Sequence, residues 1–423
     1  MITPLLRCAL LLLAALPLAA QRPTASRSLR VLEGVPQRPM ERWVDSVYRE
    51  LSPHQRLGQL IMPIIYPVPA DSTQLLERLK REQWGGILFQ KGLLAEQRQL
   101  TLGLQQAART PLLIALDGEW GLYMRLKDAP RYPRSQQIAA ASTQLLEAYG
   151  REVARQCRLM GIHINFAPVL DVNSNPRNPV IGTRSFGSTV EEVKRGALAY
   201  ARGLESGGVL SVAKHFPGHG DTSEDSHKTL PSVGASKARM EALELAPFRS
   251  YFDAGYGGVM TAHLRVPSYD PTGRPASLSQ PITTDLLQRQ MGFKGLIFTD
   301  ALEMKGAQVK PGESLIVAAL LAGNDILLGP TQPQQALREL EQALSKGEIP
   351  AQLLEEKCKK ILRFKYALIV HPGTSQEASP AEVKRRIWTS EEARLRQQLE
   401  QLGTKRTKEQ DPTAATGAAS RRK

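Results

Sequence analysis

Eight short apolar segments, each followed by a longer segment of helical periodicity, constrain the fold more than any other feature. They are rich in Ile, Val and Leu and are bounded by glycine, proline or polar residues. They read LGQLIMPIIY, GGILFQ, PLLIALD, INFAPVLDV, VLSVAKHF, GGVMTAHL, GLIFTDAL and DILLGP. Such alternation is typical of buried parallel strands joined by crossover helices. All eight lie between Glu41 and Leu368, a span that fits one (β/α)8 barrel of the TIM type.

Polar residues follow the apolar part of several of these runs: Asp117, Asp171, Lys214, His263 and Asp300. An open doubly wound sheet is the competing fold, and it would gather its ligands at one switch point. In a barrel the carboxyl ends of all the strands face one mouth. The distribution over many runs therefore favours the barrel and predicts a polar pocket at that mouth.

The N-terminal residues have the pattern of a signal peptide. Arg7 is followed by an apolar run from Ala9 to Leu18 and by two alanines. We expect a signal peptide over residues 1–20, and thus an exported protein, periplasmic or secreted, with no stable membrane anchor. The run is short for a membrane span, although an uncleaved anchor is the alternative. A linker over residues 21–40 then leads into a helical lead-in and the barrel.

The catalytic barrel is predicted over residues 41–370, followed by a linker and an amphipathic helix over 371–402. Residues 403–423, which follow this helix, contain no aliphatic residue larger than alanine. We therefore expect them to form a disordered basic tail. The net charge of +14 is spread along the chain and aromatic residues are few, at 5%. This pattern argues against nucleic-acid binding. We expect a monomer.

The stretch KHFPGHGDTSEDSH, residues 214–227, contains three of the chain's seven histidines. Asp225 and His227 are two residues apart, so in an extended segment both side chains point the same way. A carboxylate beside an imidazole fixes its tautomer and favours its protonated form, which suits a general acid that later acts as a base. A zinc site formed by His215, His219 and His227, or a solvated polar loop, are the alternatives.

Asp300 follows the apolar residues of GLIFTDAL. A carboxylate at the end of a buried strand is costly unless it is paired or solvated. It is either a nucleophile or base at the barrel mouth, or an N-cap for the following turn.

Cations and carboxylates alternate in the segments that end at the same mouth. The segment ALDGEWGLYMRL supplies Asp117 and Arg125, and NPVIGTRSFG supplies Arg184. Lys214 and His215 end the run VLSVAKHF. A pocket lined in this way suits the directional hydroxyl groups of a sugar.

These segments resemble bacterial β-N-acetylglucosaminidases of glycoside hydrolase family 3 over about residues 41–368. The motifs NFAPVLDV, IGTRSFG, KHFPGHGDTSEDSHKTLP, MTAHL and GFKGLIFTDALEM occur in the family's order and spacing. The resemblance implies that Asp300 is the nucleophile and that His227, assisted by Asp225, is the acid/base. It also implies a set of sugar-binding residues: Asp117, Arg125, Arg184, Lys214 and His215.

The chain departs from the family pattern at Trp120, which replaces a glycine of the usual Asp-x-Glu-Gly-Gly-Arg segment. Asp117 and Arg125 nevertheless keep their spacing. Many secreted relatives also continue into a further C-terminal domain.

The resemblance implies a secreted, retaining exo-β-N-acetylglucosaminidase that removes terminal β-linked GlcNAc from peptidoglycan fragments. It implies no cofactor, and we expect no metal. Two alternatives remain: a β-glucosidase-type specificity of the same family, and a non-catalytic barrel that binds wall sugars.

Overall fold

Parallel strands form the centre of the computed structural model, which describes residues 28–66, 72–225, 229–373 and 377–410. The strands of these residues are β1 (Ile61–Met62), β2 (Ile64–Ile65), β3 (Gly86–Phe89), β4 (Leu113–Leu116), β5 (Ile164–Asn165), β6 (Leu210–Phe216), β7 (Gly258–Thr261), β8 (Leu296–Thr299) and β9 (Leu327–Leu328).

Strands β2 to β8 pair in chain order, and every strand pair in the described residues is parallel. A seven-stranded sheet has the order β2-β3-β4-β5-β6-β7-β8, and β1 pairs with β9 in a two-stranded sheet. The two sheets adjoin, because the Ile326 N–H, just before β9, donates to the Ile297 carbonyl of β8 over 3.0 Å. The result is an α/β fold with a curled parallel sheet.

Each of the eight apolar runs contains a strand, as predicted. The first run contains two, β1 and β2, which are separated by Pro63. Proline has no N–H to donate to a neighbouring strand, and this accounts for the break.

Helices surround the sheet and connect its strands. The α-helices are α1 (Gln37–Glu50), α2 (Pro53–Gly58), α3 (Ser72–Glu82), α4 (Leu94–Ala107), α5 (Ser135–Ile138), α6 (Thr143–Leu159), α7 (Val190–Ser206), α8 (Lys237–Ala242), α9 (Leu245–Asp253), α10 (Leu315–Ala322), α11 (Pro333–Ser345), α12 (Ala351–Lys365), α13 (Val383–Ile387) and α14 (Ser390–Gln410). The described residues also form two π-helical segments, Pro281–Gln290 and Tyr366–Val370, and four 3-10 helices, Arg30–Leu32, Leu122–Met124, Gly182–Arg184 and Ala276–Leu278.

Helix α7 shows how local sequence signals set these bounds. Thr189 caps it, since its hydroxyl accepts from the Glu192 N–H and the Glu192 carboxylate accepts from the Thr189 N–H. Gly207 follows its last residue. Both are sequence signals that typically mark the two ends of a helix.

The C-terminal segment packs against the outside of the barrel-like body. Arg155 of α6 donates to the carbonyls of Arg386 and Ile387, and Leu399 of α14 is fully buried. Helix α14 reaches Gln410, so the predicted boundary of a disordered tail at residue 403 is wrong. Extending an existing helix adds one hydrogen bond for each residue fixed, and this requires no large apolar side chain.

Several predictions lie outside the described residues, namely the signal peptide over 1–20 and the tail beyond 410. In the part of the chain that is described, no helix has the length and apolar character needed to cross a membrane. Cys157 and Cys358 are buried free thiols in α6 and α12, and burial raises the pKa of each to about 12.

Candidate active site

A cavity of about 330 Å³ lies at the carboxyl ends of the strands. Its described lining includes every predicted sugar-binding residue and the predicted nucleophile: Asp117, Arg125, Arg184, Lys214, His215 and Asp300. These residues come from the ends of β4, β6 and β8 and from the loops after β4 and β5. The structure thus brings together side chains that are far apart in the sequence.

Asp117 lies between two cations. Its Oδ1 is 2.8 Å from the Lys214 Nζ and its Oδ2 is 2.7 Å from an Arg125 guanidinium nitrogen. Burial by itself would raise the pKa of Asp117, but the charges and hydrogen bonds of Lys214 and Arg125 lower it to about 2. Asp117 is therefore a carboxylate across the physiological range, with both oxygens held in place.

Glu119 is the functional residue that the sequence reasoning missed. It accepts two hydrogen bonds from the Arg184 guanidinium, at 2.7 and 2.9 Å, and lies 2.9 Å from the Lys214 Nζ. Burial opposes its charge, yet Arg184 and Lys214 lower its pKa well below the ordinary value. Its place in the Asp-x-Glu motif was the available signal, because that motif sets Asp117 and Glu119 on either side of one glycine.

Asp171 forms hydrogen bonds to two histidines that line the cavity. Its carboxylate lies 2.7 Å from the His215 Nδ1 and accepts the His219 N–H, also over 2.7 Å. Burial alone would raise the pKa of Asp171, but these histidines lower it. The other ring nitrogen of His215 lies 3.3 Å from Arg184. The imidazole is thus oriented on both sides.

Asp300 stands at the end of β8 and is partly exposed to the cavity. Its Oδ1 accepts the Ala301 N–H over 2.8 Å. Burial alone would raise its pKa, but the charges of His215 and His263, the Ala301 N–H and Lys214 lower it. Asp300 is therefore an ionised carboxylate at the cavity, which is the state a nucleophile requires.

His263 is behind this carboxylate rather than in the cavity lining. One of its ring nitrogens lies 2.7 Å from the Ser277 hydroxyl, and the other 3.0 Å from the Ala301 carbonyl. It lies next to Asp300 without being among the described residues that line the space.

The predicted acid/base pair is only partly described. His227 lies outside the described residues, so its predicted role stays a prediction. Asp225 is described and half-buried, and its carbonyl accepts the Thr229 N–H over 3.0 Å. It is not among the described residues that line the cavity.

Trp120 is not among the described residues that line the cavity. Its ring stacks with the Arg134 guanidinium at 4.7 Å, and Arg134 donates to the Thr183 hydroxyl over 2.9 Å. The residue that departs from the family pattern thus packs against Arg134.

The zinc alternative requires a cluster of metal ligands. In the described ranges, no group of three or more His, Cys, Asp and Glu side chains is arranged to hold a metal ion. Two of the three histidines considered for it have other partners. His215 contacts Asp171, and a ring nitrogen of His219 lies 2.8 Å from the Thr222 hydroxyl.

Comparison with known families gives a match over residues 54–364 to the glycosyl hydrolase family 3 N-terminal domain. The chain belongs to glycoside hydrolase family 3. The resemblance inferred from the motifs is thereby confirmed.

Similar proteins include family members that carry the names of β-hexosaminidases. A beta-hexosaminidase A of Pseudoalteromonas piscicida is 34% identical over 71% of this chain and 56% of its own length. A beta-hexosaminidase of Neisseria meningitidis is 39% identical over 59% of this chain and 72% of its own length. The chain thus spans little more than half of the Pseudoalteromonas protein.

Two solved structures show the same fold. A family 3 beta-N-acetylglucosaminidase from Paenibacillus is 34% identical, with a TM-score of 0.72 over 80% of this chain and 68% of that one. A beta-glucoside phosphorylase bound to 2FGlc is 27% identical, with a TM-score of 0.80 over 85% of this chain and 66% of that one. The family match and the relatives named beta-hexosaminidase support the predicted class of enzyme, a glycoside hydrolase of the β-N-acetylhexosaminidase type.

Proposed function

We propose that the protein is a retaining exo-β-N-acetylglucosaminidase that removes terminal β-linked GlcNAc. One observation carries the proposal above all: the Asp300 carboxylate lines a cavity beside a set of charges that are paired with one another, namely Asp117, Glu119, Arg125, Arg184 and Lys214. Such a carboxylate is available to attack, while the paired groups offer fixed donors and acceptors to sugar hydroxyls. The curated relatives named beta-hexosaminidase support the choice of sugar.

In the proposed first step, an oxygen of Asp300 bonds to the anomeric carbon as the bond from that carbon to the leaving oxygen breaks. His227 donates a proton to the leaving oxygen, so a free alcohol departs and a glycosyl-aspartate remains. In the second step His227 takes a proton from water, whose oxygen attacks the anomeric carbon and releases Asp300. This double displacement retains the β configuration.

The ion-paired residues hold the sugar during both steps. Lys214 touches both Asp117 and Glu119, so its ammonium is fixed at the pocket wall. Arg184 is fixed by two parallel hydrogen bonds to Glu119. Groups held in this way meet the substrate without first losing conformational freedom.

The rest of the proposed biology follows from the sequence. We propose that the two adjoining sheets act as one (β/α)8 barrel, in which β1 and β2 together count as one strand. We also propose that the protein is exported by its N-terminal segment, acts on peptidoglycan fragments, and works as a monomer without a cofactor.

The test is hydrolysis of an aryl β-GlcNAc and of the matching aryl β-glucoside by the wild type and by Asp300→Ala. The proposal expects a clear preference for the GlcNAc substrate in the wild type and loss of hydrolysis in the variant. Preference for the glucoside would favour the other specificity, which the similarity to a beta-glucoside phosphorylase keeps open. Binding of GlcNAc without hydrolysis of either substrate would favour a non-catalytic sugar-binding protein.

A further inference from the structure

Asn165, the last residue of β5, makes an unusual set of contacts with the segment that carries two pocket carboxylates. Its Oδ1 accepts the Gly118 N–H over 2.9 Å, and its Nδ2 donates to the Gly118 carbonyl over 3.2 Å. The side chain is fully buried. One amide group thus meets both polar backbone groups of one glycine, 47 residues earlier in the chain.

These two contacts fix two different peptide planes. The Gly118 N–H belongs to the peptide that joins it to Asp117, and the Gly118 carbonyl belongs to the peptide that joins it to Glu119. Both peptides that flank Gly118 are therefore held by a single side chain. Because the backbone fixes the Cα from which each side chain extends, the two contacts of Asn165 help to position the carboxylates of Asp117 and Glu119.

Tyr200 of α7 completes the arrangement from the other side. Its hydroxyl donates to the Gly118 carbonyl over 3.0 Å and lies 3.3 Å from the Asn165 Nδ2. Tyr200 is buried as well. A Cβ at Gly118 would lie 3.1 Å from the Asn165 Oδ1, a tight contact that would require the Asn165 amide to shift.

The consequence appears at Lys214, whose ammonium lies 2.8 Å from Asp117 and 2.9 Å from Glu119. One ammonium can contact both carboxylates at these distances only while their backbone keeps its present shape. We propose that Asn165 is a positioning residue for sugar binding, which acts through Gly118 and with the help of Tyr200. This inference rests on the proposed function, since it concerns the same pocket.

The experiment compares Asn165→Ala and Tyr200→Phe with Tyr251→Phe as a matched control. Tyr251 is also a buried tyrosine, and its hydroxyl donates to a strand carbonyl, that of Ser211, over 2.9 Å. It does so at the opposite end of the strands, away from the cavity. Each variant is measured for its thermal midpoint, for kcat and KM on whichever aryl glycoside the wild type cleaves, and for GlcNAc binding by calorimetry.

We expect Asn165→Ala to lower kcat/KM by about 10- to 100-fold, the range for misplacement of a binding group. The loss should fall mainly on KM, with a parallel loss of GlcNAc affinity. Tyr200→Phe removes one contact and should lower kcat/KM by about two- to ten-fold. Tyr251→Phe should lower the thermal midpoint but leave KM and GlcNAc affinity unchanged.

The proposal is overturned if Asn165→Ala and Tyr200→Phe lower the thermal midpoint, as the control does, but keep the KM and GlcNAc affinity of the wild type. If Asn165→Ala does not fold, the comparison of KM and GlcNAc affinity between Tyr200→Phe and Tyr251→Phe still tests the proposal. A wild type that cleaves neither aryl glycoside and binds no GlcNAc contradicts the proposed function itself. That result is seen without any variant, so the two failures are distinguishable.

Discussion

The two ends of the parallel sheet both bury charged side chains, but they use them differently. At the carboxyl ends, Asp117, Glu119 and Asp300 face a cavity. At the amino ends, Asp325 is fully buried and bound by Lys357 and Lys360 of α12, at 2.7 and 2.6 Å. The amino end therefore joins a helix to the sheet, whereas the carboxyl end keeps its charges beside open space.

The two ends differ in the pKa shifts of some of their buried groups. Despite burial, Lys357 and Lys360 lower the pKa of Asp325 at the amino end, but two other groups there shift toward their neutral forms. At the carboxyl end, neighbouring cations lower the pKa of Asp117 and Asp300 despite burial. At the amino end, burial raises the pKa of Glu205 to about 7 and lowers that of Lys365 to about 7. The charged form is thus favoured for Asp117 and Asp300, where chemistry is proposed, and is disfavoured for Glu205 and Lys365, which form buried hydrogen bonds away from the cavity.

The largest expected contrast is between Asp300→Ala and Asp325→Ala. Loss of the proposed nucleophile should lower kcat by about 10⁴-fold or more and leave the thermal midpoint close to that of the wild type. Loss of Asp325 leaves Lys357 and Lys360 without their carboxylate and should cost about 3–5 kcal/mol of stability. The folded fraction of Asp325→Ala should keep the wild-type kcat.

Activity assays and thermal unfolding of the two proteins check this contrast. An Asp300→Ala protein that is fully active, or an Asp325→Ala protein that is fully stable, would show that the division between the two ends is mistaken.

The next largest effect is expected for His227→Ala, and it should depend on the leaving group. Loss of general acid–base assistance typically costs about 10²- to 10⁴-fold. A GlcNAc disaccharide, whose leaving oxygen needs protonation, should lose this much, whereas glycosylation by an activated aryl glycoside should be nearly spared. Asp225→Asn should give a milder version of the same pattern. Equal losses on both substrates would mean that His227 is a binding or structural residue.

Glu119→Gln should produce an intermediate effect at the carboxyl end. The change removes the charge that holds Arg184 and Lys214, and hydrogen bonds to charged groups are worth enough to raise KM by about ten-fold or more. Glu205→Gln is the matched control, since Glu205 accepts from Ser211 and Gly257 at the amino end. Its KM should equal that of the wild type. Steady-state kinetics of both variants provide the measurement.

Smaller effects are expected in the pH dependence of stability. Because the pKa of Lys365 falls from 10.5 to about 7 on folding, its contribution is present above pH 10.5 and is lost as the pH falls toward 7. Because the pKa of Glu205 rises from 4.5 to about 7, its contribution is present below pH 4.5 and is lost as the pH rises toward 7. Each slope is at most about 1.4 kcal/mol per pH unit.

Urea unfolding across this pH range checks both signs. Lys365→Met should remove the slope between pH 7 and 10.5, and Glu205→Gln the slope between pH 4.5 and 7. Variants that keep the wild-type slopes would show that other groups at the amino end carry the titration.

No effect at all is expected from metal removal. Dialysis against a strong chelator should leave hydrolysis of the aryl β-GlcNAc unchanged, because the loop histidines are interpreted as acid–base groups. Loss of activity with recovery on adding zinc would contradict this interpretation.

The sequence was sufficient to predict the strands and the position of Asp300 at the end of one of them, because both are local patterns. Each apolar run contains a strand, and Asp300 directly follows β8, the strand within GLIFTDAL. The bonding partners of the charged residues could not be predicted from the sequence. Glu119 binds Arg184 across 65 residues, and Asn165 binds Gly118 across 47, so neither contact leaves a trace in local spacing.

The C-terminal boundary was misjudged for a related reason. A segment without apolar residues resembles a disordered tail, but α14 extends into it from buried contacts such as that of Leu399. The buried contact of Leu399 lies before the predicted boundary, and composition alone did not reveal it.

The most direct test of the central claim is to trap the glycosyl-enzyme. Wild-type protein treated with a fluorinated glycosyl inactivator should gain one covalently bound sugar, and peptide mass spectrometry should locate that sugar on Asp300. Asp300→Ala treated in the same way should gain none. A sugar found on any other residue, or no covalent adduct on a protein that hydrolyses aryl β-GlcNAc, would contradict the account.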